Sequence, residues 1–181
     1  MFKKVKVACI SIKPTKWDKA GNADKMEAFF KEASQQEPDL ILATEGVLEG
    51  YVVTDIIEGR RRPIDMYDVA EPIDGPYISR FQNLAKTLNI CLGFGFAERI
   101  DDDVYNAAIL IDNRGEIVGK YHKTQLAEGT HKSWFFNRAG KSIRAFDTPF
   151  GRAGFLICND RWNPLIARTL VLDGAALLLI P

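Results

Sequence analysis

Residues 143–181, IRAFDTPFGRAGFLICNDRWNPLIARTLVLDGAALLLIP, decide how the chain folds. Two short runs with strand-like alternation meet at Pro149-Phe150-Gly151, which reads as a hairpin turn. The second run ends on Cys158, and Asn159, Asp160 and Arg161 follow with no transition. NPLIARTLVLDG then reads as a helix, with Pro164 in its first turn and Gly174 at its end. AALLLIP, among the most apolar segments, suits a buried strand. Strand, polar exit, helix, strand is the pattern of an α/β fold, and it leaves Cys158 at the carboxyl end of a buried strand. A cysteine there can be core packing, a metal ligand or a nucleophile.

Upstream, the alternation continues. Residues 4–12, KVKVACISI, read as a strand, and NADKMEAFFKEASQQ as a helix with Met26, Phe29, Phe30 and Ala33 inward and Asn22 or Asp24 as its cap. PDLILATEG is a short strand stopping at Glu45. A loop rich in charge and proline leads to PYISRFQNLAKTLN, a second helix with Ile78, Phe81, Leu84 and Leu88 inward. ICLGFGFAE is the third strand, and YNAAILIDNRGEIVGKYHK is a hairpin turning at Asp112-Asn113-Arg114-Gly115. Eight strands and three helices in this order argue an α/β fold with a mixed sheet. No repeat or linker divides the chain, so residues 1–181 read as a single domain.

Composition excludes several function classes. Lys+Arg and Asp+Glu balance at 24 each, so no net field draws nucleic acid or an anionic membrane. No apolar run approaches the roughly 20 residues of a bilayer span, and the opening MFKKVKVACISI is too short and too broken by lysine for a leader's apolar core. Cys9, Cys91 and Cys158 are odd in number and widely spaced, without a CxxC or Cys-His cluster. Neither a metal site nor a disulfide framework is expected, and a reducing cytoplasm is the simplest setting.

In open α/β sheets, sites form beyond the carboxyl ends of strands. The polar residues there are Glu45 after LILAT, Lys123 after EIVGKYH and Cys158 after GFLI. A base, a cation and a thiol together suit acyl transfer by sulfur. The carboxylate can take the thiol proton during attack. An ammonium and a backbone N–H, here Lys123 and the N–H of Asn159, can hold the oxyanion, each donor worth about 3 kcal/mol. Taken singly, each residue also has a plain reading: core cysteine, solvated loop acid, surface lysine.

The segments around these three residues resemble the motifs of the nitrilase, or carbon-nitrogen hydrolase, superfamily, and they occur in that family's order. TEGVLEGY is similar to its glutamate motif, with Gly50-Tyr51 following the acid. GKYHKTQL is similar to its lysine motif, and GFLICNDRWNP to its cysteine motif, with Cys-x-Asp and a proline six past the cysteine. GFGFAER and FDTPFGRAG match as well. The resemblance implies an α-β-β-α sandwich and hydrolysis of a non-peptide carbon-nitrogen bond through a thioester, without metal or cofactor. It assigns Glu45 as base, Lys123 as oxyanion holder and Cys158 as nucleophile, on a small amide or N-carbamoyl substrate, in a homo-oligomer.

Departures from the family pattern set further expectations. Family members continue past the strand after the nucleophile helix, so the sandwich is expected to be incomplete at its C-terminal side and the chain a short form or fragment. Glu128 is the candidate for a second family glutamate, although its spacing to Gly140 does not fit cleanly. Asp160 favours the amidase branches over nitrilases. Arg161 matches an arginine of the N-carbamoyl amidohydrolases that binds substrate carboxylate, with a salt bridge to Asp160 or Glu45 as its alternative. Trp162 and Gln125 stand where one such branch has arginine and histidine. Asn159, Arg161, Trp162 and Glu128 are therefore the candidate substrate contacts. Asn106 is expected to brace backbone, His131 to be a loop residue, Asp101-Asp102-Asp103 a solvated turn, and the GRRRP arginines at residues 59–63 a solvated face. A nitrilase, an ammonia-supplying glutaminase-type module and a non-catalytic scaffold are the rival readings.

Overall fold

Among the described residues eight strands form, and they divide between two sheets. In the computed structural model, which describes residues 4–181, β1 (Val7–Cys9), β2 (Leu40–Leu42), β3 (Cys91–Ile100), β4 (Asp103–Ile111) and β5 (Ile117–His122) lie side by side in that order. Met1, Phe2 and Lys3, the start of the segment read above against a leader, lie outside the described residues. The first three strands are parallel, and the hairpin of β3, β4 and β5 is antiparallel. β6 (Phe146–Thr148), β7 (Gly151–Phe155) and β8 (Leu177–Leu179) form the second sheet, with β8 parallel to β7.

The period-two rule assigns the faces. Ile41, Leu92, Phe94 and Ile109 point outward, against Met26 and Phe30 of α1 (Lys19–Ser34). Leu40, Leu42, Ala108, Leu110 and Tyr121 point inward, against Ala153, Phe155 and Ile157 of the second sheet. Helix, sheet, sheet and helix thus stack in four layers. The segment expected as a loop after Glu45 instead holds α2 (Val53–Ile57), a 3-10 turn at Pro63–Asp65 and α3 (Met66–Val69). These helices are too short to show a period, and they form because Val52, Val53, Ile56, Met66 and Val69 share a satellite cluster with Ala97, Val104 and Phe136. Then α4 (Pro76–Leu88) packs Ile78 and Phe81 beside α1, and α5 (Pro164–Leu172) packs Ile166 and Leu170 on Leu156.

Two readings of the first helix need correction. Asp18, not Asn22 or Asp24, caps it, accepting from the Gly21 N–H at 2.9 Å. Asn22 lies inside the helix and is buried, its Nδ2 donating to the carbonyls of Thr15 (2.8 Å) and Leu48 (3.0 Å). Phe29 is 38% exposed rather than inward, because one residue step of about 100° carries it off the stripe that Met26 and Phe30 define. Cys9, expected inside a strand, is exposed at the sheet edge on β1.

Candidate active site

Glu45 follows β2 in a tight loop. Gly46 and Gly50 take positive φ (56° and 87°), and Tyr51 does so as well at 52°. The N–H groups of Gly50 and Tyr51 both donate to the Gly46 carbonyl, at 2.9 and 3.0 Å. On the neighbouring strand, a Cβ on Gly95 would stand 2.8 Å from the Glu45 Cα, so only glycine lets β3 pass this close.

Lys123 follows β5, its N–H donating to the Asn106 carbonyl of β4 at 2.8 Å. Its side chain is fully buried, and a buried ammonium needs a partner. Glu45 Oε1 supplies it at 2.6 Å, and the same oxygen accepts from Asn106 Nδ2 at 2.7 Å. Asn106 therefore holds a carboxylate, where the sequence suggested only a backbone brace. The Tyr51 ring centroid stands 5.9 Å from Lys123 Nζ, and the Tyr51 hydroxyl donates to Glu128. Burial and the Glu45 charge push the Tyr51 hydroxyl up, so it stays protonated as that donor.

Cys158 follows the second-sheet strand at the first position of a 3-10 turn, Cys158–Trp162, which leads into α5. Its φ is 42°, the left-handed region, which for a residue with a Cβ costs on the order of 1–3 kcal/mol. Asp160 holds that turn. Fully buried, its carboxylate accepts from the N–H of Ile157 (2.9 Å) and Gln125 (2.8 Å), and from the hydroxyls of Tyr121 (3.0 Å) and Thr124 (3.1 Å). The cysteine turn is thus tied to the chain just after Lys123.

The half-buried Cys158 thiol is pushed up by burial and then by the Glu45 charge; Lys123 and Arg161 pull the other way without reversing it. The resting sulfur is therefore a protonated thiol at neutral pH, so attack requires a base at the moment of reaction. The carboxylate whose charge acts on that sulfur is Glu45.

Glu45, Lys123 and Cys158 are brought together, and Glu128 joins them through Tyr51. The other candidates stand further off. Asn159 Nδ2 donates to the Gln125 carbonyl at 3.2 Å. Arg161 makes no salt bridge to Asp160 or Glu45; its guanidinium stands 5.4 Å over the Trp162 ring, and Trp162 is 73% exposed. The Gln125 side chain accepts from Asn163 Nδ2 at 3.1 Å. His131 is an exposed loop residue beside Ser133. Among the described residues no group of three or more His, Cys, Asp or Glu side chains is arranged to hold a metal ion. Sequence reasoning missed Asn106 as a partner of Glu45, and it missed Glu49, a buried carboxyl group of the same loop that accepts from the Ala97 N–H at 2.9 Å. Only the strand alternation that points Asn106 inward with Ala108 could have marked the first.

A sequence profile for the family described as carbon-nitrogen hydrolase matches residues 6–181. The N-carbamoylputrescine amidase of Oryza sativa subsp. japonica is 32% identical over 181 residues, covering 98% of this chain and 58% of the relative. The citrullinase of Francisella tularensis subsp. tularensis is 30% identical over 167 residues, covering 91% of this chain and 56% of the relative. The chain thus spans a little over half the length of these relatives. An amidase from Nesterenkonia sp. superposes with a TM-score of 0.78 at 22% identity, covering 98% of this chain and 64% of that one. That likeness is one of fold and covers nearly all of this chain.

Proposed function

We propose that this chain, which belongs to the carbon-nitrogen hydrolase family, carries the reacting groups of a thiol hydrolase that cleaves a non-peptide carbon-nitrogen bond in a small amide or N-carbamoyl compound. The observation that carries this reading is one carboxylate shared by two partners. Glu45 accepts from the buried Lys123 at 2.6 Å and from Asn106 at 2.7 Å, and its charge acts on the half-buried Cys158 thiol.

The chemistry follows from the resting protonation states. The Cys158 sulfur attacks the substrate carbonyl carbon while Glu45 takes the thiol proton, so the nucleophile is generated only as the C–S bond forms. The carbonyl π electrons move to oxygen, and Lys123 Nζ and the Asn159 N–H hold that oxyanion. Collapse of the intermediate expels the nitrogen, which receives the proton from Glu45 and leaves as ammonia or an amine. A thioester remains on Cys158. Water then attacks it with Glu45 again accepting the proton; the C–S bond breaks, and the proton returns to sulfur. Lys123 keeps Glu45 oriented through both halves. Each step uses only side chains and water, so the reading calls for no cofactor.

Two relatives bear names that specify a ureido compound, N-carbamoylputrescine and citrulline, which supports the N-carbamoyl side of the substrate class. A homo-oligomer belongs to the same reading: Trp162 of the 3-10 turn and Leu165, Val171 and Leu172 of the last helix leave apolar surface exposed. Light scattering on a sizing column tests it. Three free thiols accord with a reducing, cytoplasmic setting, and no helix among the described residues is long and apolar enough to cross a membrane.

Ammonia release from a panel of small amides, N-carbamoyl compounds and nitriles, compared with Cys158→Ala, tests the function. Release from amides or N-carbamoyl compounds that vanishes in the variant is the expected result. Release from nitriles alone would favour the nitrilase alternative. Release that survives the substitution would overturn the thiol mechanism, and none from a folded protein would favour a scaffold.

A further inference from the structure

Two buried polar atoms have no hydrogen-bond partner among the described protein groups, Asn106 Oδ1 and Asn137 Nδ2. Both residues line the same cavity, about 10 Å³, between the Glu45 loop, the start of β4 and the segment carrying Phe136 and Asn137. Glu49, Tyr51 and Tyr105 form another part of its wall, and Val53, Met66, Ala97, Val104 and Phe136 supply its apolar part. Asn137 and Glu49 are each at least nine-tenths buried. An orphaned acceptor, an orphaned donor and a carboxyl group around a space of this size meet the needs of a single internal water, which takes two to four polar partners. Leaving the two amide atoms bare would instead cost about 1–3 kcal/mol each.

We propose that this cavity holds one ordered water, which accepts from Asn137 Nδ2, donates to Asn106 Oδ1 and donates its second proton to Glu49. Asn106 has its Nδ2 on Glu45 Oε1 at 2.7 Å. The water is therefore the far support of the amide that aims the base. Its geometry is set from three elements: Glu49 is anchored by the Ala97 N–H of β3 at 2.9 Å, and Asn137 by the pairing of Arg138 N–H with the Val104 carbonyl at 2.8 Å. Asn137 and Glu49 touch neither the thiol nor the bond to be cleaved. They are positioning residues for Glu45, and the inference rests on Glu45 being the base.

The test reads the thiol rather than turnover. In a Cys9→Ser background, which removes the exposed competing thiol, the rate of Cys158 alkylation by iodoacetamide is followed against pH. Glu45→Gln removes the charge that holds the thiol up, so its midpoint moves to lower pH. Asn137→Leu, which removes the donor and fills the cavity, is expected to move the midpoint in the same direction by about half that shift. Asn137→Ser, which keeps a donor and leaves room for water, stays at the parent value. A shift in Glu45→Gln with none in Asn137→Leu overturns the inference. No shift in Glu45→Gln overturns the reading of Glu45 itself. If Asn137→Leu fails to fold, a high-resolution crystal structure of the unaltered chain decides: density bridging Asn106, Asn137 and Glu49 is expected, and a direct bond between the two amides would end the proposal.

Discussion

The five-stranded sheet carries two glutamate-lysine clusters, one on each face. On the outer face, Glu98 accepts from Lys120 Nζ at 2.7 Å and pairs with His122 Nε2 at 2.5 Å. On the inner face, Glu45 accepts from Lys123 at 2.6 Å and from Asn106 at 2.7 Å. Bond lengths and residue types are nearly the same. What separates the two clusters is the third wall. The outer one meets the stacked ring of Tyr105 on His122 and a cleft lined by Lys141 and Arg144. The inner one meets a thiol delivered from the other sheet. An ion pair is thus an element of structure until a second layer brings a reactive group to it.

The largest contrast should be in turnover. Glu45→Gln is expected to lower kcat/KM by about 10³-fold or more, since it removes the base while keeping the shape. Glu98→Gln should change it only a few-fold. Comparable losses from both substitutions, with folding intact, would mean that the outer cluster is part of the chemistry and the distinction is wrong.

Asp160→Ala sharpens the same contrast through stability. It strips four donors of their acceptor and frees the cysteine turn, so unfolding should become easier by about 3 kcal/mol or more. Denaturant titration measures this. The Glu98 cluster lies on the opposite face, so a double variant with Glu98→Gln should show additive losses.

The smallest effect is a pair of opposite pH slopes. Burial pushes Glu98 up, but its bonds to His122 and Lys120 and their charges more than offset that, and its folded pKa lies below the ordinary 4.5. Its stabilising contribution is full above that value and is lost as pH falls through the lowered one. Glu49 goes the other way, because burial, with the Glu45 charge adding to it, holds it at about 7 against its N–H partners. Its contribution is full below about 4.5 and is lost as pH rises through about 7. Thermal unfolding against pH should therefore show a shallower acid limb in Glu98→Gln and flatten between about 4.5 and 7 in Glu49→Gln. Equal slopes in both variants would show that neither carboxyl group behaves as its surroundings require.

The primary structure determined the order of the strands and of α1, α4 and α5, the two hairpin turns and the delivery of Glu45, Lys123 and Cys158 to strand ends. These are local properties, written in period-two alternation, in Gly and Pro at turns and in three short motifs. The misread first helix shows where local signals stop. Asp18 and Asn22 are both good caps by type, and only the fold, by giving Asn22 the carbonyls of Thr15 and Leu48, chose between them. Strand alternation by itself argued one mixed sheet and only the family resemblance two; tertiary structure alone decided that Asn106 grips Glu45 and that Arg161 lies over Trp162 instead of bridging to an acid. It also brought Glu49 and Asn137 to one cavity from residues far apart in the chain. The physical reason is range: propensity and periodicity act over a few residues, whereas a hydrogen bond or a buried charge is settled by whichever group packing brings within about 3 Å.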